Sequence, residues 1–217
     1  MVTEDLFTTE TGGDGSRIYR GDCRTGLLTK ALPRFRLCVT SPPYLNSFDY
    51  TDIYRPELFL GRFIENKHLL KELRHETVRS HVQVNWRRAT GGDFGEFYSR
   101  AMARIRAASA HLWDVRIPLM IQAYFEDIGT VLAGLRSHAR RKSCVWLVVA
   151  TSAYAGVEIP VDMIIGEIGL KKGWSLKEIG LLRELRSSGQ HWNRANGTGH
   201  ECPRLRESVV IFETADR

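Results

Sequence analysis

The stretch Arg36-Leu37-Cys38-Val39-Thr40-Ser41-Pro42-Pro43-Tyr44 changes character half-way along. Residues 36–40 are mainly apolar and read as a buried strand. The prolines then forbid continued ladder pairing, because proline has no N–H to donate and its ring fixes φ. In an open α/β sheet, ligands gather beyond the carboxyl ends of the strands. A stiff polar-Pro-Pro-aromatic turn at such an end offers rigid backbone carbonyls as acceptors. Ser41 adds a side-chain acceptor and Tyr44 a flat apolar face. Together they suit a planar ring that carries an exocyclic amine.

Working outward, residues 16–20 read as a short strand stopped by Gly21-Asp22, and 25–32 as a helix ended by Pro33. Residues 54–73 are helical in part, interrupted at Pro56. Helices are expected over 96–113 and 124–140. In the second, Tyr124, Ile128, Val131, Leu132 and Leu135 share one face. Arg136, Arg140, Arg141 and Lys142 gather at its end, where the helix dipole favours cations. Residues 144–150 are apolar throughout, as in a strand buried on both faces. A helix over 161–170 follows, with Pro160 near its first turn. Strands at 175–185 and 205–214 flank a polar loop, 186–203. Strands alternating with helices predict an α/β fold with a mostly parallel sheet, in which 36–40 and 144–150 are neighbours. Residues 1–15 read as a loose, Gly-rich leader. Residues 16–217 read as one domain with a basic arm around 65–93, carrying Arg74, His75, Arg79, His81, Trp86, Arg87 and Arg88. That arm is either solvated surface or a DNA-facing element.

Lys and Arg number 31 against 25 Asp and Glu, a net charge of +6 with 43% hydrophobic residues. This excludes a disordered acidic chain and leans toward a polyanionic partner. The apolar run at 144–150 is too short to span a bilayer, and the polar, acidic start is not a secretory signal. A cytoplasmic protein is expected. The cysteines Cys23, Cys38, Cys144 and Cys202 form no C-x-x-C pair. His191, His200 and Cys202 match no zinc spacing, so no metal site is expected.

The Ser-Pro-Pro-Tyr stretch resembles motif IV of the DNA amino-methyltransferases that use S-adenosylmethionine. The Ser form looks most like the N4-cytosine enzymes; Asp or Asn is usual in the N6-adenine enzymes. The resemblance continues through S-P-P-Y-L-N-S-F-D-Y-T-D-I-Y-R-P-E-L-F-L (41–60), through S-A-Y-A-G-V-E-I-P-V-D (152–162) and L-R-E-S-V-V (205–210), and through Gly21-Asp22. It implies a Rossmann-like fold and a restriction–modification setting. It also implies a mechanism in which a cytosine flips out of double-stranded DNA. Tyr44 would stack on the base, and Ser41 with the Pro42 carbonyl would accept hydrogen bonds from its amine, with Pro43 stiffening the turn. These bonds would draw the nitrogen lone pair out of ring conjugation. Asp22 and Thr40 would face the cofactor. Arg183 and Arg186 would contact phosphate, and Gln190, Asn193 and Arg194 would read base edges.

Two features depart from the family pattern. No F-x-G-x-G loop follows a strand: Gly12-Gly13-Asp14-Gly15 has no strand before it, and Gly91-Gly92-Asp93-Phe94-Gly95 follows a basic, polar run. Val149-Ala150-Thr151-Ser152 stands where relatives tend to have Gly-Asp-Ser. The chain therefore resembles a target-base half without the full cofactor half. It is paired with a second polypeptide bearing the glycine loop, or is a fragment of a longer enzyme, or is a decayed remnant. The competing reading is a non-catalytic DNA-binding protein on a decayed methyltransferase fold; within the enzyme class, N6-adenine specificity is the alternative.

Overall fold

The computed structural model describes residues 19, 21–29, 32–185 and 203–214. The leader, the strand expected at 16–20 apart from Tyr19, and most of the polar loop lie outside them. The elements run α1 (Cys23–Thr29), β1 (Phe35–Thr40), α2 (Tyr50–Ile53), α3 (Arg55–Leu60), α4 (Lys67–His75), α5 (Glu96–Ala107), α6 (Ile117–His138), β2 (Ala139–Ala150), β3 (Ser152–Tyr154), β4 (Val157–Ile159), α7 (Val161–Lys171), β5 (Ser175–Leu185) and β6 (Leu205–Glu213).

The main sheet has the order β1-β2-β6-β5. β1 pairs with β2 in parallel, as expected, with Thr40 opposite Leu147. β6, however, is antiparallel to both β2 and β5. This corrects the expected Rossmann-like, mostly parallel α/β sheet: the sheet is mixed, and among the described residues its only parallel ladder is β1–β2. The reason lies in the connections. Between β2 and β5 the chain passes through the β3–β4 hairpin and α7, long enough to bring β5 back in the direction of β2. β6 follows β5 without a described helix between them, so it returns antiparallel and fills the gap between β5 and β2.

A second correction concerns burial. On one face of β2, Val145, Leu147 and Val149 are buried, and they join Val210, Phe212, Ile128, Leu132, Ile164, Ile165 and Ile168 in the core. On the other face Trp146 is 44% exposed, beside Val39 at 64% and Leu37 at 59%. β1 is an edge strand among the described residues, and neither it nor β2 is buried on both faces. No described element covers that patch.

α6 starts at Ile117, ahead of the expected 124. Pro118 sits in its first turn, where the missing N–H has no partner to lose. α1 lies so close to α6 that a Cβ on Gly134 would come within 2.6 Å of Leu27 Cβ. Asp127, buried in α6, ties the segments before it together. It accepts from the Arg79 amide at 2.9 Å, from Arg79 Nη2 at 2.6 Å and from Arg24 Nη1 at 3.1 Å. Arg74 pairs with Asp49 at 2.6 Å and also reaches Asp52. His81 is buried, with its ring 4.8 Å from that of Trp86. Arg74, Arg79 and His81 are therefore turned into the body, neither solvated surface nor a DNA-facing row; Arg87 and Arg88 remain exposed.

Candidate functional site

The motif leaves the carboxyl end of β1 and is fastened on both sides. Ser41 Oγ donates to the Val148 carbonyl of β2 at 3.1 Å. That bond uses the hydroxyl proton and leaves lone pairs able to accept. No hydrogen bond among the described residues takes up the Pro42 carbonyl. The Asn46 amide closes a turn onto the Tyr44 carbonyl at 2.9 Å. Behind it, the buried Tyr154 donates from Oη to the Leu45 carbonyl at 3.0 Å, and its hydroxyl lies 3.2 Å from Ser47 Oγ. Ser47 takes the left-handed conformation at φ 61°. Asp49 then caps α2, accepting from the Thr51 amide at 2.9 Å.

Tyr44 is half-buried, and its hydroxyl donates to Glu207 Oε1 on β6 at 2.6 Å. Glu207 is gripped from the other side by Arg183, its cross-strand partner on β5. Arg183 Nε reaches Oε2 at 2.7 Å and Nη2 reaches Oε1 at 3.2 Å. Arg183 and then Tyr44 hold the Glu207 carboxyl below its ordinary range. Burial, and after it the bond to Glu207, pushes the Tyr44 phenol up, while Ser41 beside it pulls the other way. Next to this group, Arg206 donates to both oxygens of the fully buried Asp162 at 2.8 Å, and Ser208 Oγ donates to the same carboxylate at 2.8 Å. That cluster fixes the first residues of β6 on the start of α7.

The structure therefore brings Ser41, Pro42, Pro43, Tyr44 and Arg183 to one end of the sheet. Thr40 is adjacent as the last residue of β1. Arg186, Gln190, Asn193 and Arg194 lie outside the described residues. Asp22 is engaged elsewhere: its carboxylate accepts from the Arg24 amide at 2.8 Å and from Arg24 Nη2 at 2.7 Å. Among the described residues it shares no hydrogen-bond partner with the motif.

Of the two glycine-rich stretches, residues 12–15 lie outside the described residues. Gly91–Gly95 follows no strand, and the α5 N-terminus it leads to is filled by the protein's own Glu167. That carboxylate accepts from the Glu96 and Phe97 amides at 3.1 Å each. Among the described residues no group of three or more His, Cys, Asp or Glu side chains is placed to hold a metal; His191, His200 and Cys202 lie outside them. No described helix is long and apolar enough to cross a membrane.

Glu207 and Asp162 were not singled out from the sequence. The signal was present, because both lie in stretches, 205–210 and 152–162, that carry the family resemblance. What was missing was a reason to connect residue 207 with residue 44.

The chain is similar to part of type II methyltransferases. M.AvaI from Nostoc sp. (strain PCC 7120) is 26% identical over 199 residues, covering 82% of this chain and 39% of that protein. M.BsoBI from Geobacillus stearothermophilus is 26% identical over 209 residues, covering 84% and 40%. The chain thus spans about two fifths of the length of these relatives. No protein-family model matches it. A solved chain from Thermus thermophilus, assigned provisionally as a DNA modification methylase, covers 91% of this chain and 52% of its own length at 14% identity. Its TM-score of 0.42 is too low to build on.

Proposed function

We propose that this chain is the target-base half of an S-adenosylmethionine-dependent DNA methyltransferase, acting on the exocyclic N4 amine of cytosine. The observation that carries the reading is the loop Ser41–Tyr44 at a strand end, with a side-chain acceptor, a backbone carbonyl that no described residue takes up and an anchored aromatic ring side by side. A flipped cytosine stacked on Tyr44 presents its amine to Ser41 and to the Pro42 carbonyl. Accepting both N–H bonds localises the nitrogen lone pair, and holding the ring still removes the orientational cost of reaction. Arg183 lies where a DNA phosphate can reach it, and the polar loop 186–203, with Arg186, Gln190, Asn193 and Arg194, would supply further DNA contacts.

The methyl donor is held by a glycine-rich loop carried either by a second polypeptide or by further sequence of a longer enzyme. Two observations support that division: a β1 edge that no described strand pairs, with apolar Leu37 and Val39 open beside it, and relatives of which the chain matches about two fifths. Methyl transfer from labelled S-adenosylmethionine to cytosine-containing duplexes tests the reading. The purified chain alone is expected to be inactive, to bind the cofactor weakly by calorimetry, and to gain activity when a polypeptide carrying the glycine loop is added. Tight one-to-one cofactor binding by the chain alone would overturn the division. Transfer to adenine would move the assignment to the N6 class. One observation favours the non-catalytic alternative, the capture of Asp22 by Arg24. In that case DNA binding persists, and no added polypeptide confers transfer.

A further inference from the structure

Tyr44 stands on a loop, and a ring on a loop stacks well only if its plane is fixed. The fold gives it an unusual fixture. Its hydroxyl is 2.6 Å from Glu207 Oε1, short enough for a charge-assisted bond in which the phenol must be the donor. Glu207 is only 9% exposed and is itself held in two places by the Arg183 guanidinium. The carboxylate therefore has little freedom, and it passes that rigidity to the ring. Arg183, with its side chain 66% exposed, still faces solvent while doing so.

We propose that Glu207 is a positioning residue that sets the orientation of Tyr44 for the captured base, with Arg183 steadying the carboxylate. The proposal rests on the base-stacking reading of Tyr44. It gives the phenol oxygen a role beyond the stacking face, so Tyr44→Phe and Glu207→Ala should act alike.

The test uses the purified full chain and two pools of fluorescent duplexes with randomised flanks. In one pool a central cytosine faces an abasic site and so is already free to leave the stack; in the other it is fully paired. The ratio of the two affinities reports base capture. The wild-type chain is expected to prefer the abasic pool. Glu207→Ala and Tyr44→Phe should each cut that preference by about fivefold, the size of one hydrogen bond's net contribution. Glu207→Gln, whose amide oxygen still accepts, should keep most of it. A Glu207→Ala chain that melts earlier yet keeps the full preference would make the residue merely structural and overturn the proposal. So would loss in Glu207→Ala without loss in Tyr44→Phe, which removes only the hydroxyl and leaves the carboxylate with Arg183. No preference in the wild-type chain would overturn the base-capture reading, and the proposal with it. NMR titration of labelled tyrosines separates the two failures, because Glu207→Ala should lower the Tyr44 phenol pKa whether or not a base is captured.

Discussion

Ser41 gives its proton to the Val148 carbonyl, so what it can offer a bound amine is a lone pair. On the proposed reading, that lone pair matters most as the amine gains positive charge. In the assembled enzyme Ser41→Ala should lower turnover roughly ten- to a hundredfold, the value of a hydrogen bond to a group becoming charged, with little change in DNA affinity. Steady-state methyl transfer measured against duplex binding separates the two, and unchanged turnover would make the motif a structural turn. Tyr44→Ala should instead weaken base capture, since stacking is worth roughly 1–3 kcal/mol per base. Both residues were legible in the sequence because they adjoin a Pro-Pro turn. The Glu207 anchor was not, because its partner is 163 residues away and only the sheet brings them together.

Among the elements, β5 and α7 sit close to where the hydrophobic pattern puts them, and the start of α7 is marked by Pro160. The antiparallel direction of β6 departs from the expected mostly parallel sheet, although the stretch between 185 and 205 carries no helical pattern, and a parallel return needs a crossover. The open face of β1 and β2 was hidden for another reason: an apolar strand looks the same whether its second face is covered by this chain or by something else. Packing of α7 on β6 makes a sharper prediction. Gly169 lies against the ring of Phe212, and a Cβ added there would run into it. Phe212 is fully buried and has no room to retreat. Gly169→Ala should therefore destabilise the fold by about 1–3 kcal/mol, despite the better helix propensity of alanine. The urea midpoint checks this; a rise would mean that the α7–β6 contact is looser than described.

For the molecule as a whole, burial lowers the pKa of His81, so the folded state resists a proton that the unfolded chain accepts near its usual value of about 6.5. Stability should be full above that pH and fall as the pH drops below it. The depressed carboxyls of Glu126 and Glu207 add a further loss only in the ordinary carboxylate range, at lower pH. Urea midpoints at pH 7.5 and 5.5 should show the first decline, and His81→Asn should flatten it. The net charge of +6 predicts duplex binding that weakens steeply with salt as released counterions compete. Anisotropy titrations at two salt concentrations measure it, and no binding at low salt would remove DNA as a partner of the isolated chain. The pairing of Arg183 with Glu207 across β5 and β6 has a consequence for how such a chain tolerates change in length. Side chains alternate between faces, so sliding β6 by one residue would turn Glu207 toward the core and bring Arg206 or Ser208 beneath Tyr44. Insertions and deletions in the connection between the two strands leave that pairing alone. A single codon lost from within β6 would put a cation or a short hydroxyl where the Tyr44 phenol now meets an anion, and the fold would survive a change that sets the ring loose.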